Sequence, residues 1–186
     1  IILNGETKTG ATLHFADETF DTGDIVLQQE ISLSPYETMG SLFNNSNYIF
    51  AQMLVDVLKN YEKTGNIPRM PQPQGDFKKA PKVKSDIMLN FSSPPDYLDR
   101  LIRSCNPFYG CTTLFRGTST RIISADYLLE AHLHEAGKMI MHTNRLAVAA
   151  SGGYLYPKIL QVGSWGIFDT QEFVQKFNPK IGERLG

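Results

Sequence analysis

The sequence has no apolar run approaching the eighteen or so residues that a membrane-spanning helix needs. It also lacks the basic start and apolar core of a secretory signal. Cysteine is scarce: Cys105 and Cys111 flank Asn-Pro-Phe-Tyr-Gly, and there are no others. A disulfide across that turn is geometrically open to them, and so is a pair of buried thiols in a reducing cytoplasm. No Cys or His cluster has metal-ligand spacing, which argues against a structural zinc, and His132 with His134 alone would leave a metal under-ligated. Repeats and low-complexity tracts are missing too. Position 1 is Ile rather than Met, which fits a processed, trimmed or fragmentary chain.

What is present reads as an ordinary globular protein. The 186 residues are 41% hydrophobic and 20% charged, enough for one good domain or two small ones. The net charge of −1 conceals an asymmetry. Residues 1–75 carry 4 Lys and Arg against 9 Asp and Glu, a net of −5, and residues 76–186 carry 14 against 10, a net of +4. A basic second half suits a polyanion such as tRNA, and it equally suits a solvated surface.

Patterning gives a fold class of α/β followed by a β-barrel. Strand-like runs over Ala11–Phe15 and Ile25–Leu33 flank an acidic loop that ends in Asp21-Thr22-Gly23-Asp24. A long helix follows, with Ser34 as N-cap, Pro35 at the first position and Glu37 reaching back. Its apolar stripe runs from Leu42 to Tyr61, Gly65 is its stop, and Asn44, Asn45 and Asn47 are weak helix formers where a kink is expected. Asn66 to Asp76 has the composition of a semi-rigid linker, and Lys78 to Lys84 is basic. A second helix starts at Ser93-Pro94-Pro95-Asp96, with Leu98, Leu101, Ile102 and Cys105 inward. Short strands are expected over Cys111–Arg116, Arg121–Ala125, Lys138–His142, Leu146–Ala150 and Tyr154–Val162. A last helix is capped by Asp169. Five short strands with one helix suggest a small OB-like barrel. The expected division is 1–75, a junction at 76–92, and 93–186.

Asp21 is the leading candidate for chemistry. A carboxylate on a strand-connecting loop, followed by Thr-Gly, can be aimed inward from a constrained backbone, although Asp-Thr-Gly-Asp is also a good turn in its own right. Phe108, Tyr109, Phe115, Arg116 and Arg121 offer either stacking and charge for a nucleic acid or parts of a core. His14, His132, His134 and His142 read as surface, strand or loop residues.

The block Asn4-Gly5-Glu6, Thr9-Gly10-Ala11-Thr12-Leu13-His14 and Asp21-Thr22-Gly23-Asp24-Ile25 resembles the 10-formyltetrahydrofolate-dependent formyltransferases, above all the methionyl-tRNA formyltransferase branch. The likeness continues through Ala80-Pro81-Lys82, Ile87–Phe91, Arg103, Asn106-Pro107-Phe108, Gly110 and Gly182-Glu183-Arg184-Leu185. Departures are Ala11 for Val, and Phe91, Phe108 and Tyr109 where Trp, Trp and Pro are usual.

The resemblance implies the C-terminal part of a Rossmann-like formyltransferase domain plus an OB-like domain, in a cytoplasmic enzyme of one-carbon metabolism and protein biosynthesis. It places Asp21 as the catalytic Asp of an Asn-His-Asp trio, and Asp17, Glu18, Thr19, Phe20 and Asp21 along the folate pocket, acting largely through backbone groups. The Asp charge would favour protonated His and fix its orientation. The Asn-x-His strand and Ser-Leu-Leu-Pro loop of the family have no match in this sequence, and His14 is not a substitute. The acceptor implied is methionyl-tRNA, reached through residues 76–186. Alternatives are an amino sugar nucleotide or other small amine, a 10-formyltetrahydrofolate hydrolase in which water replaces the amine, and a non-catalytic nucleic-acid-binding piece. No metal is implied. The stripe from Leu42 to Tyr61 is expected to be covered by an upstream half or by a dimer partner.

Overall fold

The structure, a computed structural model, describes residues 1–73 and 87–186. The basic run from Lys78 and the junction Ala80-Pro81-Lys82 lie outside the described residues. The chain is a mixed α/β protein of two compact units. One holds Ile1 and the described residues from Glu6 to 73, and the other holds Ile2–Gly5 and those from 87 onward.

In the first unit, β1 (Lys8–His14) and β2 (Ile25–Ser32) pair antiparallel, with a register shift between Leu13 and His14. Strand alternation sends Ala11, Leu13, Leu27 and Ile31 to one face, where they meet Ile49, Phe50 and Met53 of α1 (Met39–Thr64). The helix does not start at Ser34. Ser34 and Glu37 close a turn instead, through Glu37 N to Ser34 O at 3.0 Å. Thr38 is the N-cap, in a reciprocal box with Ser41. The physical reason is that burial begins at Leu42, so a helical turn over 35–38 would have no packing to hold it.

Gly65 ends the helix in the left-handed conformation, its amide donating to Tyr61 O at 2.8 Å. The helix is continuous through Asn44, Asn45 and Asn47. The stripe is wider than the hairpin can cover: only Leu42 and Met53 are buried, while Leu54 and Leu58 are about half exposed.

The Pro-rich segment after Gly65 is more than a linker. Met70 and Ile25 exchange both backbone hydrogen bonds, at 2.7 and 2.9 Å. Composition conceals this because the pairing uses backbone groups, which every non-proline residue carries.

The second unit is built on one seven-stranded sheet. Its helix α2 (Pro95–Cys105) has Pro95 at its first position and buries Leu98, Ile102 and Cys105, as the spacing predicts. It also buries Asp99, whose carboxylate accepts from Arg103 Nε one turn on at 2.8 Å. The 3-10 turn Ile2–Asn4 lies against the same helix, with Arg100 Nε donating to Leu3 O at 3.2 Å.

The strands are β3 (Ile87–Met88), β4 (Cys111–Phe115), β5 (Thr118–Leu129), β6 (Met139–His142), β7 (Arg145–Ala150), β8 (Gly153–Val162) and β9 (Gly166–Asp169). Their order is β3-β4-β5-β8-β7-β6, with β9 on β8. Two short strands escaped the sequence reading, and β5 is far longer than Arg121–Ala125. Register shifts between Ile122 and Ala125 break its alternation, and Ser and Thr fill its start. The final helix, α3 (Thr170–Phe177), carries the Asp169 cap and sets Phe173 fully buried, edge-on to Phe115 at 5.0 Å between centroids.

The expected OB-like barrel corresponds to this seven-stranded sheet, in which, among the described residues, no strand pairing joins β6 directly to β4 or β3. The segment Glu183–Gly186 lies between those edges instead. It accepts from Met139 N at 2.7 Å, donates from Leu185 N to Gly137 O at 2.9 Å, and donates from Gly186 N to Leu114 O at 2.9 Å. Leu185 enters the main core and is 3% exposed. Leu185→Ala is expected to lower stability by about 2–5 kcal/mol in chemical denaturation. A loss below about 0.5 kcal/mol, the size of a neutral surface change, would show that the segment is not part of the core.

Candidate active site

The loop from Phe15 to Asp24 is shaped from both ends. At its base Phe15 N donates to Asp24 O at 2.9 Å. Gly23 lets the two sides close: a Cβ there would lie 1.8 Å from Phe15 O, so no other residue fits without moving backbone. Gln72 then clamps the loop, its Nε2 donating to Asp21 O at 3.0 Å and Gly23 O at 2.8 Å. The Arg69 guanidinium lies 3.9 Å from the Phe15 ring centroid and 3.8 Å from the Asp24 carboxylate.

Within the loop Asp17 is the organiser. Its carboxylate accepts from Thr19 N at 3.0 Å and from Thr22 Oγ1 at 2.7 and 2.8 Å. Those bonds, Thr22 foremost and then the Thr19 amide, hold its carboxyl below the usual carboxylate range. The Asp17 side chain therefore fixes loop shape, and it is Glu18, Phe20 and Asp21 that project into solvent.

Asp21 sits at the loop's tightest point, at φ 60°, a left-handed conformation that Asp tolerates better than most residues. Its side chain is 93% exposed, and Oδ1 stands 3.6 Å from His14 Nε2. The other ring nitrogen of His14 is 2.8 Å from Phe15 O. A carbonyl oxygen only accepts, so Nδ1 carries the hydrogen, and Nε2 meets Asp21 as a cation only when the ring is protonated. His14 is the partly buried last residue of β1, in keeping with the strand reading, and the structure adds its reach to Asp21.

Of the sequence-predicted residues, Asp17, Glu18, Thr19, Phe20 and Asp21 share this one loop. Arg69 and Gln72 were missed, because nothing in a Pro-Gln-rich stretch shows where a side-chain amide will land.

The remaining candidates lie in the sheet unit. Phe115 is core, and Arg116 pairs with Glu183 at 3.0 Å while donating to Phe177 O at 2.9 Å. The histidines depart from a plain surface reading. His132 and His142 stack on Tyr154 at 4.5 and 4.4 Å, and His142 Nδ1 is 2.6 Å from the Tyr156 hydroxyl. Cys105 and Cys111 are buried and unbridged. Among the described residues no three His, Cys, Asp or Glu side chains come together as metal ligands, and no helix is long and apolar enough to cross a membrane.

This loop on a hairpin, with the sheet unit after it, belongs to a known class. Residues 1–58 match the formyl transferase family and residues 82–178 match the formyl transferase C-terminal domain. The chain belongs to the formyl transferase family. Methionyl-tRNA formyltransferase of Flavobacterium johnsoniae is 31% identical over 166 residues, which is 87% of this chain and 53% of that protein. The enzyme of the same name from Acidiphilium cryptum is 31% identical over 186 residues, 100% of this chain and 59% of that one. The chain thus spans between half and three-fifths of the length of these relatives. In fold it resembles HypX from Aquifex aeolicus in complex with tetrahydrofolic acid, with a TM-score of 0.68 at 16% identity over 98% of this chain and 32% of that one.

Gln72→Ala removes two bonds to the loop backbone and leaves its side chains untouched. It is expected to cost about 1 kcal/mol of stability and to speed amide exchange within 16–22 while exchange in α1 stays unchanged. Unchanged exchange in the loop would mean that Gln72 does not hold it.

Proposed function

We propose that the complete polypeptide transfers the formyl group of 10-formyltetrahydrofolate to a primary amine, with methionyl-tRNA as the acceptor. The carrying observation is the loop that presents Asp21 from a backbone clamped on both sides. In this reading the amine nitrogen attacks the formyl carbon, the bond from that carbon to folate N10 breaks, and the amine proton passes by way of a histidine to N10. The products are a formamide and tetrahydrofolate. The histidine and an asparagine come from the family's Asn-x-His strand, which has no match within residues 1–186. Asp21 holds the histidine oriented and favours its protonated form, and the two partners stabilise the oxyanion that develops on the formyl oxygen.

Asp17, Glu18, Thr19, Phe20 and Asp21 line the folate in this reading. The loop suits that task because Asp17 fixes its shape internally, leaving backbone groups at its rim for a planar ligand. The tetrahydrofolic acid bound by HypX, a protein of like fold, supports the choice of donor. The acceptor is supported by the names of the relatives and by the net charge of +4 over residues 76–186. The half-exposed face of α1 around Leu54 and Leu58 would be covered by the rest of the catalytic domain or by a second copy. A cytoplasmic setting suits two buried, unbridged thiols.

Asp21→Asn in the complete protein keeps the loop's size and removes its charge. Turnover in a formyl-transfer assay is expected to fall a hundredfold or more, the scale of losing a group that sets acid-base catalysis. Near-normal turnover removes Asp21 from the mechanism. Affinity for tRNA should fall steeply with salt, with log K against log salt sloping by about −0.9 for each phosphate neutralised in duplex regions. A flat profile would instead favour a small amine acceptor.

A further inference from the structure

Arg121 is the exception among the arginines. Arg69, Arg100, Arg103, Arg116, Arg145 and Arg184 each pair with a carboxylate, and among the described residues Arg121 has none within 4.0 Å. Its Nε is buried with no hydrogen-bond partner, and Nη1 reaches only Gln161 Oε1, at 3.5 Å. A half-buried cation that leaves a buried donor unsatisfied is costly to the fold. An oxyanion in the cleft that Arg121 lines would supply the cation with the counter-charge it lacks.

The geometry around Arg121 is built rather than incidental. In the sheet register Thr112 stands opposite Arg121 and Gln161 stands opposite it on the other side, so β4, β5 and β8 present three polar side chains in one row. Gly110 fixes the direction of the guanidinium: it has φ +76°, and a Cβ there would lie 2.2 Å from Arg121 Nε. The side chain is thereby packed against the turn that follows α2.

Thr112, Ser119, Arg121, Gln161 and Gly163 line a cleft of about 100 Å³. That is roughly three times the share of one water in the liquid, the scale of a tetrahedral oxyanion. Arg121 and Gln161 also border a second cleft of about 170 Å³, walled by Ile102, Pro107, Ile123 and Ile167. Charge and hydroxyls on one side and carbon walls on the other describe a phosphate joined to an organic group.

We propose that the row Thr112, Arg121 and Gln161 is a phosphate-binding site, with the fork of Arg121 gripping the phosphate oxygens and the adjoining apolar cleft receiving the carbon side of the ester. The phosphate belongs either to a small phosphate ester or to a nucleic-acid backbone. The site is built within the sheet unit and does not depend on the formyl-transfer reading.

The test follows the Arg121 Nε–H and Gln161 side-chain amide NMR signals of the full chain during titration with inorganic phosphate, with sodium chloride at equal ionic strength as the control. Phosphate is expected to shift both signals and chloride neither. Arg121→Gln should weaken phosphate binding at least roughly tenfold, and Arg121→Lys, which keeps the charge and loses the fork, should fall between. If Arg121→Gln does not fold, the Lys variant and Gln161→Leu carry the comparison. Adenosine monophosphate displacing phosphate while tRNA leaves the Arg121 signal unmoved assigns a small ester, and displacement by tRNA assigns a nucleic-acid backbone. Signals that ignore phosphate, or folded variants that bind it as the parent does, overturn the site. Because the readout needs no turnover, that failure would leave the proposed activity standing.

Discussion

A strand edge carries backbone donors and acceptors that must find partners, and both units meet this requirement with an irregular segment brought from far along the chain. In the hairpin unit Met70 pairs with Ile25 at the strand end, which places Gln72 where it grips the carbonyls of Asp21 and Gly23. In the sheet unit Glu183–Gly186 bonds to both β4 and β6, which seats Leu185 in the core and brings Glu183 to Arg116. Site shape in one unit and core completion in the other both follow from satisfying an edge. Without those segments, the acidic loop would rest on little more than the Phe15–Asp24 contact and the internal bonds of Asp17.

The elements with strong local chemistry were legible in the sequence. Gly65 stops its helix because glycine takes the left-handed conformation readily, and from it the amide bonds back to Tyr61 O. Asp169 with Glu172 announces α3 through reciprocal bonds three residues apart. The paired strands around the acidic loop were equally plain. What escaped was non-local. The Ser34 capping pattern placed the start of α1 too early, and packing that begins at Leu42 sets the cap at Thr38 instead. Polar Ser and Thr at the start of β5 and a shifted register in its middle hid most of that strand. The turn that carries Asp21 could be read from sequence because Asp-Thr-Gly is a local motif; the clamp by Gln72 could not, because it exists only once the chain has folded back.

The exposure of Asp21 constrains its chemistry. A carboxylate in open solvent interacts with a neighbouring cation through water, where two unit charges 4 Å apart gain only about 1 kcal/mol. In the proposed reaction its influence on a histidine would grow as solvent is excluded. In that reading the clamped loop would supply position, and a bound substrate would supply the lower dielectric. This division explains why the loop's hydrogen bonds are spent on backbone shape while the carboxylate itself is left uncommitted but for the long contact to His14.

The tie formed by Glu183–Gly186 also has a kinetic side. Its partners, Leu114 and Gly137, lie far back in the sequence, so the contacts that complete the sheet are among those with the greatest loop-closure cost. A folding chain must carry two bare strand edges until this late encounter succeeds. During that interval the growing sheet is open to pairing with another copy of itself, and crowding at high concentration would divert molecules to aggregates in proportion to how long the edges wait. The same four residues that finish the native sheet thus set the width of the window in which it can go wrong.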